Sequence, residues 1–579
     1  MHEDVKSFFL APKTPKQRQY EALRAYVIEE LTAQVAAARF GFTETSLYSL
    51  ANDLRVGKLN LFAQRTTGPK DRRVTPYIRS LIGQMRKENL SVADIVERLR
   101  QGKITLSPST VERILKEGGF GKLPRRTAAQ RGLSKKNTVV SQAARHLDAL
   151  RLEPFHAECQ IAGLFFFLPY LIDSGITGTL DSLPLPQSKR IGKVQAFLSL
   201  LALKLIGGQR LSHVRLYDHD RGFGLFAGLN VLPKPTYTGT YSCRVSAQLC
   251  HALQKTIVSQ LQRGDPSLFS GTTIHLDFHS IPHFGDGSEM EKVWCGARNK
   301  AMKGANTFFA QDGETNTLLY ANADVLRKNG AKEILSFVKY LKEIKGVIGE
   351  TLVFDSRLTT YEVLGQLDAQ EHIQFITLRV PGKTLQAQTQ ALRDEQWEKV
   401  KLPIPKRKHQ KFWVHESEVM LKGCENPFRQ IIMKDHGRAE PTYVITNNRE
   451  MKLIEVLTVY ARRWRIENKL AELVDFFNLN ALSSPIMVRI HFDLLLSVVA
   501  SFLYHRFAQD LPRFEKSLAP EIFRRFVDMP GTVHFDGKTF EVRLRKRATT
   551  PILLGVEKLQ QSFEIPWLKG RQMRVVFTP

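Results

Sequence analysis

Three acidic residues stand where a metal-dependent reaction would need them. Asp277 lies inside the apolar, β-branched run TTIHLDFHSI, between Leu276 and Phe278. Asp355 follows Leu352-Val353-Phe354 at the end of a second such run. A carboxylate among apolar neighbours is costly unless something pairs it. A hard divalent cation is a natural partner, because such ions take carboxylate oxygens. An Asp at a strand end also serves as an ordinary turn or cap residue, and that reading of Asp355 stands beside the first. Asp277, in mid-strand, is harder to dismiss. The third acid is Glu467, in Tyr460-Ala-Arg-Arg-Trp-Arg-Ile-Glu-Asn. At ~100° per residue, helix positions 460, 463 and 467 fall within about 60° of one another, so Tyr460, Arg463 and Glu467 share a face. The plainer reading is an amphipathic helix with an i, i+4 Arg463–Glu467 pair, which adds only about 0.3 kcal/mol. His275, His279 and His283 flank Asp277, but no Cys or further His completes a zinc set, so they are expected to support the acids at most.

The acids need a scaffold. Residues 271–380 read as β-β-β-α-β-α-β, with a turn at Asp312-Gly313 between the second and third strands. Three consecutive strands followed by alternating helix and strand give a mixed sheet with helices on its faces. The order is interrupted at residues 381–440, a β-rich insertion, and resumes over 441–512 with helices expected at 450–478 and 486–510. Within 450–478, Glu455 and Glu472 turn about 120° and 140° away from Glu467 at ~100° per residue. Both are therefore expected on the helix surface.

Residues 1–136 read as a helix-turn-helix bundle with a basic linker. Thr43 can cap a helix after the turn at Gly41, and Ser91 and Ser107 can cap two more, the last with Pro108 at its first position. Residues 122–136 hold six basic residues and no acid, among them Arg125, Arg126 and Arg131. They are at once a solvated linker and a strap suited to phosphates. Residues 137–268 read as mainly helical, and 513–579 as a C-terminal region of strands with turns at Asp536-Gly537 and Gly570.

LDFHSIPHFG, VFDSRLTTYEVLGQL and YARRWRIEN, in that order, resemble the Asp-Asp-Glu transposases of bacterial insertion sequences, in the branch with a Tyr-x2-Arg-x3-Glu signature. The resemblance spans roughly residues 270–510. It implies a ribonuclease-H-like catalytic core with the first Asp on the first strand, the second after the fourth strand, and the Glu on a later helix. It also implies that Asp277, Asp355 and Glu467 hold two Mg²⁺ or Mn²⁺ ions. These would drive in-line displacement at phosphorus, first by water and then by the freed 3′-OH on target DNA. Tyr460 and Arg463 would hold phosphates near the cut. Trp464 suits stacking on an unpaired base, or a place in the core. The spacing of 112 residues between Asp355 and Glu467 is long, as the insertion requires. In one respect the chain departs: the branch often has a Lys seven residues after the Glu, where this chain has Val474 and the nearest Lys, Lys469, is on another face.

The composition agrees. The 579 residues carry a formal net charge of +27, which calls for a polyanion partner, and 43% are hydrophobic, enough to fill several cores. Double-stranded DNA, as element ends and as target, is the expected partner, bound by a homodimer. A membrane is not expected: the apolar runs 161–172 and 494–503 fall short of the ~20 residues a span requires. The first twenty residues hold two acids and no long apolar stretch, so no signal peptide is expected. The five cysteines contain no C-x-x-C pair, which fits a reducing, cytoplasmic and nucleoid-associated location. Two other readings survive: a metal-dependent nuclease of the same fold without strand transfer, and a catalytically inactive DNA-binding protein.

Overall fold

A computed structural model describes residues 9–62, 74–123, 150, 152–285, 290–403, 411–481 and 487–579. Arg125, Arg126 and Arg131 lie outside the described residues. The chain divides into two compact units, Met1–Pro76 and Tyr77–Pro579.

Among its described residues the first unit contains α1 (Pro15–Val27), α2 (Ala33–Phe40) and α3 (Glu44–Arg55). Its small core sets Ala22, Leu23, Ala36, Ala37, Phe40 and Leu47 against one another. Gly41 ends α2 at φ 72°, a conformation that a side chain would strain. Thr43 then caps α3, accepting from the Ser46 N–H at 3.2 Å. The second unit opens with α4 (Pro76–Lys87), α5 (Val92–Gln101) and α6 (Pro108–Glu117). Ser91 and Asp94 form a reciprocal capping box on α5, and Ser107 caps α6.

The largest element is a ten-stranded sheet. Its centre holds β2 (Thr273–Pro282), β4 (Lys300–Asp312), β5 (Leu318–Asn322), β6 (Thr351–Val353) and β7 (Phe375–Arg379). They lie in the order β5-β4-β2-β6-β7, with β2, β4 and β5 antiparallel in sequence and β6 and β7 parallel to β2. A further strand, β3 (Lys292–Cys295), which the sequence reading missed, pairs with the start of β4. The insertion supplies β8 (Glu398–Lys401), β9 (Lys411–Val419) and β10 (Phe428–Lys434), and β11 (Thr442–Thr446) joins them to the edge of β7. The insertion thus extends the same sheet rather than making a separate one. A second sheet of five strands collects β12 (Gly531–Phe535), β13 (Thr539–Arg545), β14 (Phe563–Ile565) and β15 (Arg571–Thr578) with β1 (Phe155–Cys159), which comes from the region read as mainly helical.

Helices α7 (Lys193–Leu205), α8 (Ala247–Gly264), α9 (Glu333–Lys345) and α12 (Met487–Gln509) pack around the sheets. The expectation about membrane length needs correction at α12. Its 23 residues are long and apolar enough to cross a bilayer, because the flanking residues extend the counted run. Of its most apolar stretch 78% is buried inside the protein, so the apolar surface is already covered. Buried Lys204 on α7 is paired with Asp493 on α12 at 2.9 Å.

The helix expected at 450–478 is in fact two, α10 (Leu453–Ala461) and α11 (Trp464–Asp475). At the join, the Arg463, Arg465 and Ile466 N–H groups donate to carbonyls three residues back. This tightens the turn without Gly or Pro.

Candidate active site

The two aspartates are set side by side by strand register. β2 and β6 are adjacent and parallel, with His275 opposite Val353. Asp277, within β2, and Asp355, just past the end of β6, each lie two residues further on, on neighbouring strands about 4.8 Å apart. Leu276 and Phe278 point into the core, which leaves Asp277 on the opposite face of β2 with only 14% of its side chain exposed. The Phe278 N–H donates to Asp277 Oδ1 at 2.7 Å. Asp355 opens a short turn, where its Oδ1 accepts from the Arg357 N–H at 3.0 Å. Its carbonyl lies 3.2 and 3.3 Å from the hydroxyls of Thr359 and Thr377, which are 2.6 Å apart, so one hydroxyl donates to the carbonyl and the other donates to that hydroxyl. The cap role of Asp355 and a ligand role are compatible, because Oδ2 is not engaged in the cap.

Helix α11 packs against β2 and brings the third acid. Arg463 bridges the site: Nη1 lies 3.3 Å from Asp277 Oδ2 and Nη2 donates to Glu467 Oε1 at 2.5 Å. The helix break at residues 462–463 means that the uniform 100° arithmetic does not run through Tyr460. The tyrosine nevertheless faces Arg463, packed on the insertion strands beside Val456 and Leu457. Trp464 is half exposed, so it is not a core residue.

The electrostatics follow from burial and crowding. Burial pushes the Asp277 carboxyl up to about 6; Arg463 and the Phe278 N–H oppose this, while Asp355 and Glu467 add to it. Burial works against the charge on Arg463, but Asp277, Tyr460, Glu467 and Asp355 together raise its pKa. Burial raises the Tyr460 phenol, against the pull of Arg463. His275 is buried and brought down to about 3, by burial first and then by Arg465, Arg463 and Arg462, so it is neutral. His279 is held by Asn480 at 2.7 Å and is likewise kept neutral, mainly by burial.

The sequence reading gave Arg357 no part. Its Nη2 donates to Asn306 Oδ1 at 2.7 Å, and its guanidinium lies 4.9 Å from the centre of the Phe278 ring, near Asp355 and Asp277. The available signal was a cation two residues after a strand-end acid. Glu455 is exposed, as expected. Glu472 is not: it is 4% exposed, accepts from buried Lys469 at 2.6 Å, and takes the Ala519 N–H at 2.8 Å. Lys469 is committed to that pair and to Ser501, so it does not replace a lysine at position 474.

Three carboxylates offer the hard oxygen donors that a divalent ion takes. Among the described residues no three acidic, His or Cys side chains stand close enough to hold one ion as they are. Arg463 occupies the position between Asp277 and Glu467, and its guanidinium partly neutralises them. The donor set therefore fits a divalent cation in chemistry and charge, with Arg463 as the internal competitor for the same oxygens.

No match was found among curated proteins. Seven chains of solved structures match. One is a piggyBac transposase, from a cryo-EM structure of a synaptic complex with hairpin DNA, at 11% identity, with 65% of this chain and 82% of that chain covered and a TM-score of 0.31. Residues 269–503, which contain all three acids, match the family model described as "Transposase DDE domain", and this match supports a DDE-type transposase.

Proposed function

We propose that the protein is a DNA transposase that binds the ends of its element, cleaves them by metal-dependent hydrolysis, and joins the freed 3′-OH to target DNA. The carrying observation is the convergence of Asp277 and Asp355, by strand register, with Glu467, through the shared Arg463. The strand order β5-β4-β2-β6-β7, with Asp277 on the first of these strands in sequence and Asp355 just after the fourth, supports a ribonuclease-H-like core. The tandem capped helices before residue 120, and the basic run 122–136, support specific reading of element ends by helix-turn-helix modules. An insertion-sequence origin, the Tyr-x2-Arg-x3-Glu branch, a homodimer on DNA, and a cytoplasmic, nucleoid-associated location belong to the same reading.

Asp277, Asp355 and Glu467 would hold Mg²⁺ or Mn²⁺, two ions in this class of chemistry. Bound there, the ions supply activation of the attacking oxygen and stabilisation of the leaving one. The remaining work falls to the chain. Arg463 neutralises the carboxylates while they stand alone. Once they are otherwise neutralised, its planar fork is free for a phosphate oxygen, which it suits better than a lysine would. Tyr460, kept protonated by burial, can donate to a second phosphate oxygen. Half-exposed Trp464 is available to an unpaired base beside the cut.

The test is Glu467→Gln against Glu455→Gln, with Mg²⁺ or Mn²⁺ present. Glu467→Gln should abolish nicking and strand transfer while DNA binding persists, and exposed Glu455→Gln should stay within about tenfold of wild type. An active Glu467→Gln enzyme overturns the acid assignment. Nicking without strand transfer by the wild-type protein would make it a nuclease.

A further inference from the structure

We infer that the β3–β4 hairpin is a second DNA-gripping surface, which holds duplex DNA about eight base pairs from the phosphate attacked at Asp277. Residues 292–303, KVWCGARNKAMK, hold four basic residues and no acid. The hairpin alternates cleanly. Val293 and Cys295 are buried beneath it, while Lys292 and Trp294 point outward. Trp294 is 58% exposed, and the residue opposite it across the pair is Ala301, too small to cover an indole. At the tip, Arg298 and Lys300 are exposed, and the Arg298 guanidinium lies 5.4 Å from the centre of the exposed Phe284 ring. Such a surface is poor design for solvent alone. Exposed cations around an uncovered indole match the phosphates and sugar edges of DNA.

The register gives the distance. On β4, Ala301 faces Trp294 and Phe309 faces Asp277. Eight residues of antiparallel strand, at ~3.4 Å each, span about 27 Å. Duplex DNA rises by ~3.4 Å per base pair, so a duplex lying along β4 would cover this span in about eight base pairs. DNA that far from a cut is paired. The occupant is therefore the backbone of flanking duplex, with Trp294 against the sugar edges, and not a flipped base. This rests on the proposed function for its choice of DNA, but it concerns residues with no part in the chemistry.

The test uses the full-length protein and a 40-base-pair duplex of arbitrary sequence, titrated over a salt series, with a single strand of the same length as control. The variants are Lys292→Ala/Arg298→Ala/Lys300→Ala and Trp294→Ala. Loss of three phosphate contacts should flatten the slope of log K against log[salt] by about 2.7. Trp294→Ala should weaken duplex binding about fivefold or more, on the scale of ~1 kcal/mol for a lost aromatic contact. Wild-type slope and affinity in both variants would overturn the inference, and so would a loss confined to single-stranded DNA. If the wild-type protein bound neither DNA, the proposed function itself would fail.

Discussion

Replacing Asp277 by Asn should stabilise the protein in a pH-dependent way while destroying the proposed activity. The folded protein holds this carboxyl at about 6 against an ordinary 3.8, chiefly through burial, with Asp355 and Glu467 adding to it. A raised carboxyl pKa means that the folded state binds the proton more tightly than the unfolded chain. The favourable contribution is complete below about 3.8, shrinks as pH rises, and is gone above about 6. Relative to a neutral residue, ionised Asp277 is then a burden on the fold. At 1.36 kcal/mol for each pH unit, the displacement from 3.8 to about 6 corresponds to about 3 kcal/mol. An amide at 277 never ionises, so the variant escapes this burden. The assay is urea unfolding of both proteins at several pH values between 4 and 8, without divalent ions. Whatever constant offset the amide introduces, the variant's stability minus that of wild type should rise by about 3 kcal/mol across the window from 3.8 to 6 and then level off. A difference that stays flat across this window would refute the account of Asp277 as an acid whose burial outweighs the help of Arg463 and the Phe278 N–H.

Two further outcomes follow from the same geometry. Arg463→Gln should bind Mn²⁺ more tightly than wild type when no DNA is present, because the competing guanidinium is gone, yet it should not nick; weaker Mn²⁺ binding, measured by calorimetry, would refute the competition. Glu472→Gln should lower stability by about 3 kcal/mol or more in a denaturation experiment, because it leaves Lys469 buried without its counter-charge; an unchanged midpoint would show that the pair is not required.

The parts of the site carried by local pattern were legible in the sequence. The β-branched, apolar run TTIHLDFHSI reads as a strand and is one, largely buried, and an Asp in its middle demands explanation. The four-residue step from Arg463 to Glu467 is a helix neighbour relation, and the ion pair between them is present. What depends on distant pairing was not legible. Nothing near Asp277 indicates that β6 will lie beside β2 with His275 opposite Val353, although that register is what joins the two aspartates. Strand β1 escaped for the same reason: it pairs with β12, from the other end of the chain. Glu472 was misplaced because a charged residue on an amphipathic helix is normally solvated. Here the Ala519 N–H and Lys469 satisfy it inside the protein.

The Arg463 bridge shows why the motif could be recognised more easily than its physics. Spacing identifies an Arg and a Glu that can meet, and it suggests a phosphate clamp next to a ligand. It does not reveal that the same guanidinium reaches across to Asp277 on another element. With that contact, the arginine is part of the charge balance of the site before any ligand arrives. Without it Asp277 would stand higher still, since Arg463 is the main influence holding it down against burial, Asp355 and Glu467. A cation that takes over the carboxylates must therefore outcompete Arg463, and the displaced guanidinium then has its best remaining partner in an anionic phosphate. Metal and DNA would each make room for the other at a single side chain. By linkage, any gain in metal affinity on adding DNA must equal the gain in DNA affinity on adding metal, and both gains should vanish together when Arg463 is removed.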